Sequence, residues 1–296
     1  MTTIPQILVL KPQKDYELID SGEGEKLERF GEVITIRPDP QALWEKTKPE
    51  KWAEAHVVYE RTGPKTGAWK GKNLPESWPI ELSGIKFNIH LSSFKHTGVF
   101  PEQALNWEWL SEKISISNFQ FTKDEPMQVL NLFGYTGGAS LICAKAGAKV
   151  THVDSSKTAI DWANLNAKSS KLEATSIRWI LEDAFSFVKK EIRRGKKYEG
   201  IIMDPPTFGH GTKGEIWKIE KQFTDLVNDC SKLLSDKPVF FLINGYAAGY
   251  SSITYANNLL QIQNKYGGEI QHGELAIEES VGKRLMPAGI FARLSF

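Results

Sequence analysis

The chain has 296 residues, 41% hydrophobic and 25% charged, with 37 Lys and Arg against 36 Asp and Glu for a formal charge of +1. That balance belongs to a folded chain of one large or two smaller domains and excludes a disordered protein or one that coats nucleic acid through bulk charge. The two cysteines, Cys143 and Cys230, exclude a disulfide framework or a cysteine-rich zinc site and suit a reducing compartment. No apolar run reaches the ~18 residues of a spanning helix, and Met1 to Leu10 lack a signal-peptide layout, so no membrane is expected and the expected location is the cytoplasm.

The first ~90 residues read as short strands and turns. Apolar or β-branched runs at 7–10, 16–20, 33–37 and 85–91 are separated by turn chemistry such as Asp20-Ser21-Gly22-Glu23-Gly24, Arg37-Pro38-Asp39-Pro40 and the loop 62–67. Six of the nine tryptophans precede residue 111. No helical stripe dominates, so residues 1–94 are expected to form a β-rich N-terminal domain.

Residues 95–296 follow a different grammar. A helix at 103–113 leads into strict alternation. Strands are predicted at 127–132, 149–153, 177–181, 200–203 and 239–243, and helices at 138–146, 156–168, 185–194, 215–234 and 253–265. Two last strands, near 270–276 and 290–296, have no helix between them. Alternation of this kind builds parallel βαβ units in a doubly wound α/β sheet, and a strand pair without a crossover must be antiparallel. That ending separates the fold from a plain dinucleotide-binding domain.

Ligands of such sheets bind beyond the carboxyl ends of the strands. After the first strand comes Phe133-Gly134-Tyr135-Thr136-Gly137-Gly138-Ala139-Ser140, where glycines let backbone approach a ligand and a helix N-terminus favours an anionic group. The spacing is not that of a dinucleotide fingerprint. Asp154 follows the second strand, placed to accept from ribose hydroxyls, and Glu182-Asp183 follow the third. Asp204-Pro205-Pro206-Thr207-Phe208-Gly209 follow the fourth. Singly, each has a plain alternative: a common turn, helix caps at Asp154 and Asp183, an inert Pro loop. Four on successive strand ends point to a nucleotide-like cofactor.

These motifs resemble class I S-adenosylmethionine-dependent methyltransferases, and most of all the family of large-subunit ribosomal RNA cytosine-C5 and guanine-N7 methyltransferases. The match includes Lys95-His96-Thr97-Gly98-Val99-Phe100-Pro101-Glu102-Gln103, Leu285-Met286-Pro287-Ala288-Gly289 and, more loosely, residues 18–31. The resemblance implies S-adenosyl-L-methionine as cofactor. It places Phe133, Gly134, Tyr135, Thr136, Gly137 and Gly138 at the methionine part, Asp154 at the ribose and Asp183 at the adenine. Segment 95–103, with Lys95, Thr97 and Phe100, folds over the site, and Asp204 borders it.

In the acceptor reading, Asp204 and the carbonyls of the loop stiffened by Pro205 and Pro206 hold the acceptor, and Phe208 stacks on a flat base or packs into the core. Related cytosine-C5 enzymes attack the ring with a cysteine in the Asp-Pro-Pro loop or after the fifth strand. Neither loop contains one here, which favours a nitrogen acceptor with its own lone pair. Ribosomal RNA is the expected partner, and the chain is expected to be a monomer or homodimer. The alternatives are a small-molecule or protein methyltransferase and a non-catalytic cofactor-binding module. Asn244 and Tyr246 are candidate pocket residues. His96 and His210 read as solvated loop residues or acid/base groups. The run 189–197, six cations against Glu191, reads as a dipole-compensated helix end or a phosphate grip. No metal spacing appears.

Overall fold

The computed structural model describes residues 4–63, 67–71, 74–93, 95–117, 120–122, 125–212, 214–246 and 249–296. Residues 64–66 of the expected loop, and Ala247 and Ala248 after the fifth strand, lie outside them.

The N-terminal region is more regular than its sequence suggests. After β1 (Gln6–Leu10), β2 (Tyr16–Gly22), β3 (Glu25–Phe30), β4 (Val33–Pro38), β5 (Val57–Arg61) and β6 (Gly67–Gly71) form a five-stranded sheet in that order. Strands β7 (Trp78–Leu82) and β8 (Ile85–Ile89) make a separate hairpin. Strand β3, Glu-Lys-Leu-Glu-Arg-Phe, carries no β-branched residue and escapes a reading by propensity. It is set by its turn, in which Glu23 and Gly24 both have positive φ (56° and 77°), as a tight hairpin requires. The tryptophans are structural here. The indole N–H groups of Trp44, Trp52, Trp69 and Trp78 donate to Ser21, Asp20, Ser92 and Phe30.

Residue 101 onward alternates as expected. A short 3-10 turn (Pro101–Gln103) runs into α1 (Ala104–Ser117). Then follow β9 (Gln128–Leu132), α2 (Gly138–Lys145), β10 (Lys149–Asp154), α3 (Lys157–Ser169), β11 (Ile177–Leu181), α4 (Ala184–Arg193) and β12 (Gly200–Met203). The helix expected over 215–234 covers only α5 (Ile219–Ser231). Ahead of it, β13 (Phe208–His210) and β14 (Ile216–Lys218) pair as a short antiparallel ribbon. The chain ends with β15 (Phe240–Gly245), α6 (Ser252–Tyr266), β16 (Glu269–Glu278) and β17 (Leu285–Ser295).

The large sheet has eight strands in the order β1-β16-β17-β15-β12-β9-β10-β11. Pairings from β11 to β15 are parallel, while β17 runs antiparallel to both β15 and β16. Strands β12 and β15 are buried throughout, the mark of a sheet covered on both faces. Ile7–Leu10, expected within the N-terminal β-rich region, instead extends the large sheet as its edge, parallel to β16. Residues β9 and β12 sit side by side where the strand order reverses, so their carboxyl ends open the ligand crevice.

The N-terminal sheet is locked onto this frame by buried charge. In the turn between β16 and β17, Arg284 bonds Asp20 (3.0 Å), Glu279 (2.9 Å) and the carbonyls of Ser21 and Glu45, and Glu279 also accepts from Ser21. Within the sheet Glu28 is wholly buried, and Arg37 reaches both its oxygens at 2.8 and 2.9 Å while the Tyr16 hydroxyl adds a third bond. Removing one partner of a buried pair strands the other charge. Arg37→Met is therefore expected to lower the unfolding free energy by about 3–5 kcal/mol, read from urea denaturation. A change under about 1 kcal/mol would contradict this account of the pair.

Candidate active site

The turn leaving β9 is the tightest backbone in the crevice. Phe133, Tyr135 and Gly137 have φ of 58°, 49° and 94°, and the two non-glycine residues cost on the order of 1 kcal/mol each. A Cβ on Gly134 would lie 2.3 Å from the His152 ring, and one on Gly138 would lie 2.4 Å from the Trp107 indole. The turn is held from three sides. The Tyr135 amide donates to Asp154 Oδ2 (2.8 Å), the Thr136 hydroxyl to the Gly98 carbonyl (2.6 Å), and the Asn166 amide to the Thr136 carbonyl (3.0 Å).

Asp154 thus shapes the turn directly, and its Oδ1 takes the Ser156 amide at 2.8 Å. Burial pushes its carboxyl up, and the amides of Ser156, Tyr135 and Ser155 pull it back. A carboxylate has about four acceptor positions, so room remains for ligand hydroxyls. Ser156, not Asp154, caps α3, with its hydroxyl accepting from Ala159. Asp183 does cap α4, accepting the Ser186 amide at 2.8 Å, and stands at the pocket as well.

A cleft lies beyond β9, β10 and β11. Phe133, Asp154 and Asp183 are among the residues that line it. His210, Gly211 and Trp217 also line it, because the β13–β14 ribbon folds over its mouth. The ribbon is pinned by Trp217 Nε1 donating to the Pro206 carbonyl and by Ser155 donating to the His210 carbonyl at 3.1 Å. Sequence reading placed Trp217 in a helix; the glycines at 209, 211 and 214 were the available signal for a hairpin instead.

The predicted overlying segment is ordered against the turn. Gly98, at φ 93°, leaves no room beside Trp162, whose ring would lie 2.0 Å from a Cβ. Thr97 is buried with its hydroxyl unpartnered. Phe100 sits with its ring 5.7 Å from Tyr135 and 5.4 Å from His96. The Lys95 ammonium donates to the Pro38 carbonyl at 3.2 Å. His96 is pushed down to about 4 by burial and by Arg37, Lys95 and Lys26, so it is neutral near pH 7.

Asp204 follows β12 beside Phe133, its amide reaching the Leu132 carbonyl at 3.4 Å. Burial alone pushes its carboxyl up to about 6. Pro205 is buried, Pro206 lines the cleft, and the Phe208 ring is 49% exposed, not folded into the core. Asn244 accepts from Asn106 at 2.6 Å, and Asn106 in turn accepts from Arg293, so Asn244 is tied into a buried chain. Tyr246 reaches Asp39 of the N-terminal region at 3.3 Å.

Three of the six cations of the basic run are engaged by polar groups around them: Lys190 pairs with Glu182, Arg194 with Glu191, and Lys197 donates to the Lys232 and Leu234 carbonyls. Helix α4 starts at the pocket and rises ~1.5 Å per residue, so the run begins roughly 8 Å along it, and Lys190 reaches back to Glu182 on the cleft wall. No cluster among the described residues could hold a metal, and no helix among them is long and apolar enough to cross a membrane.

Glycine-walled turn, strand-end carboxylates and sheet order together fit one cofactor class, and comparison with known families agrees. The family described as S-adenosylmethionine-dependent methyltransferase matches residues 41–248. The chain belongs to that family. The crystal structure of an S-adenosylmethionine-dependent methyltransferase from Agrobacterium tumefaciens superposes with a TM-score of 0.93 at 38% identity, over 99% of this chain and 94% of that one. Ribosomal RNA large subunit methyltransferase I of Aeromonas salmonicida is 32% identical over 145 residues, 49% of this chain and 34% of the relative. Methyltransferase K/L of Shewanella frigidimarina is 33% identical over 157 residues, 52% of this chain and 20% of the relative. The match thus spans about a third or less of these curated relatives. S-adenosylmethionine is the family's methyl donor, and the residues fit it: carboxylates follow β10 and β11 on the cleft wall, and Phe133 and Trp217 stand beside them as flat apolar walls.

A methyltransferase that buries Asp204 sacrifices stability to keep it. Between about 4 and 6 the folded chain retains this proton while the unfolded chain has lost it, so its contribution falls as pH rises through that window. Asp204→Asn is expected to be more stable than the parent above pH 6, by on the order of 2–3 kcal/mol, with the gain vanishing near pH 4. Thermal unfolding across pH 4–8 reads this; an Asn variant less stable at pH 8 would refute it.

Proposed function

We propose that the chain transfers a methyl group to a base nitrogen of ribosomal RNA by direct displacement, without a covalent enzyme intermediate. The observation that carries this reading is the shared wall: Pro206 lines the cofactor cleft while Asp204 and the exposed Phe208 flank it on the same loop. The names of the ribosomal RNA methyltransferases it resembles support the substrate class. The cysteines support the nitrogen acceptor. Cys143 and Cys230 are buried inside α2 and α5, with burial pushing both thiols up, so neither offers a thiolate to a pyrimidine ring.

S-adenosylmethionine supplies the methyl group as the electrophile of an in-line displacement. The chain's task is to orient both reactants and exclude water. In this reading Asp154 accepts from the ribose hydroxyls and Asp183 from the adenine amino group, between the walls of Phe133 and Trp217. The backbone of Gly134, Tyr135, Thr136, Gly137 and Gly138 borders the methionine part, and Thr97 and Phe100 close over it. Phe208 stacks on the acceptor base. The Pro206 and Thr207 carbonyls are already engaged by Trp217 and Ile219, so the acceptor's amino hydrogens are assigned to the Asp204 carboxylate and the Pro205 carbonyl. Asp204, ionised above about 6, accepts these bonds at neutral pH.

Calorimetry with S-adenosylmethionine and labelled-methyl transfer to RNA from cells lacking the protein separate the roles. Asp154→Ala and Asp183→Ala are expected to weaken cofactor binding about tenfold or more. Asp204→Ala and Phe208→Ala are expected to keep cofactor affinity within about threefold while methyl incorporation falls at least ~100-fold and ~10-fold. Label entering protein or metabolite extracts but not RNA would overturn the substrate.

A further inference from the structure

The N-terminal sheet reaches the acceptor side of the crevice. Tyr246, just past β15, donates to Asp39 Oδ1, and Asp39 directly follows β4. Pro38, one residue back, takes the Lys95 ammonium at 3.2 Å, and Arg37 donates to the Lys95 carbonyl at 3.2 Å. Lys95 itself stands at φ 64°, a conformation that a lysine holds only when its surroundings impose it. Next to it, His96 packs with Phe100 and Tyr135 over the cofactor turn.

Burial pushes the Lys95 ammonium down; Asp39 opposes this, while Lys26, Arg37 and Arg61 add to it. The nearby acids are committed. Glu28 is taken by Arg37 and Tyr16, and Asp39 lies 3.5 Å from Lys26 and accepts from Tyr246 and the Gln41 amide. Burial pushes Glu102 up to about 7, so it carries only about half a negative charge at neutral pH. Among the described residues Lys95 has no carboxylate within ion-pair distance; its hydrogen bond goes to a carbonyl. A half-buried ammonium without a carboxylate of its own, on the segment that packs over the cofactor turn, is matched by an anion carried on the acceptor.

We propose that Lys95, backed by Lys26 and Arg37 of the N-terminal sheet, seats a backbone phosphate of the RNA strand next to the base presented to Asp204 and Phe208. The assignment rests on the RNA reading above, and it moves Lys95 from the cofactor to the acceptor. It also gives the N-terminal sheet a direct part in substrate binding.

The test uses the full chain and a mixed-sequence single-stranded RNA oligonucleotide, with binding followed by fluorescence anisotropy across a salt series. Lys95→Met is expected to weaken binding about five- to tenfold at low salt. It is also expected to reduce the slope of log affinity against log salt by about 0.7, the value for one phosphate of a single strand. Lys95→Arg is expected to restore the slope, and calorimetric affinity for S-adenosylmethionine is expected to stay within about twofold of the parent in both variants. If Lys95→Met does not fold, Lys26→Met provides the same readout with the same expected direction. An unchanged slope overturns the phosphate seat, as does a loss of cofactor affinity, which would return Lys95 to the cofactor. If the parent still labels RNA in either case, the proposed function stands without the seat. If the parent neither binds nor labels RNA, both proposals fall together.

Discussion

At its three glycines the turn between β9 and α2 has no space for a side chain, and the rest of the site is arranged around that constraint. Gly134 is pressed against His152 from β10, Gly137 against Ala163 from α3, and Gly138 against Trp107 from α1. Gly98 of the overlying segment meets Trp162 in the same way. Four elements distant in sequence therefore converge on one loop. Left-handed residues at Phe133 and Tyr135 persist because these contacts, with the Asp154 and Gly98 hydrogen bonds, outweigh their cost.

Asp154 shows how one carboxylate serves two ends. Its oxygens already take two backbone amides that set the turn and the start of α3, and it remains on the wall of the cleft. Asp183 repeats the arrangement at α4, where capping the helix fixes the rotamer that faces the pocket. Capping and ligand binding, weighed as rivals from sequence, are compatible because a carboxylate has acceptor capacity to spare. Asp204 is different: burial raises it with no charged partner to compensate, the pattern of a group retained for chemistry.

Charge also explains why the N-terminal region cannot be treated as an appendage. Arg284 returns from the far end of the chain to Asp20 and Ser21, and Tyr246 reaches Asp39, so buried polar contacts close the two regions around the crevice. Apolar packing does the same, since Tyr16, Leu18, Phe30 and Trp78 belong to one continuous cluster with Trp107, Leu110 and Leu141. The near-zero net charge of the chain thus conceals local excesses. One lies on and after α4, where Lys190 and Arg194 are ion-paired, while Lys95 is not paired with a carboxylate.

The sequence by itself determined the alternation of strands and helices, the antiparallel ending and the strand-end motifs. These depend on periodicity and on local glycine, proline and capping chemistry, which act over a few residues. Only the tertiary structure decided that β1 joins the far edge of the large sheet, because a short apolar strand looks the same whichever sheet it completes. It also decided that residues 208–218 form a ribbon over the cleft: Ile216 and Trp217 fit a helical pattern as well as a strand, and the Pro206 and Thr207 carbonyls settle the matter by hydrogen bonding to Trp217 and Ile219. Strand β3 escaped for the same reason, since its polar residues find their partners only across the sheet, in Arg37 and Tyr16. Local chemistry identified which strand ends bear the site; long-range contacts chose what stands opposite them.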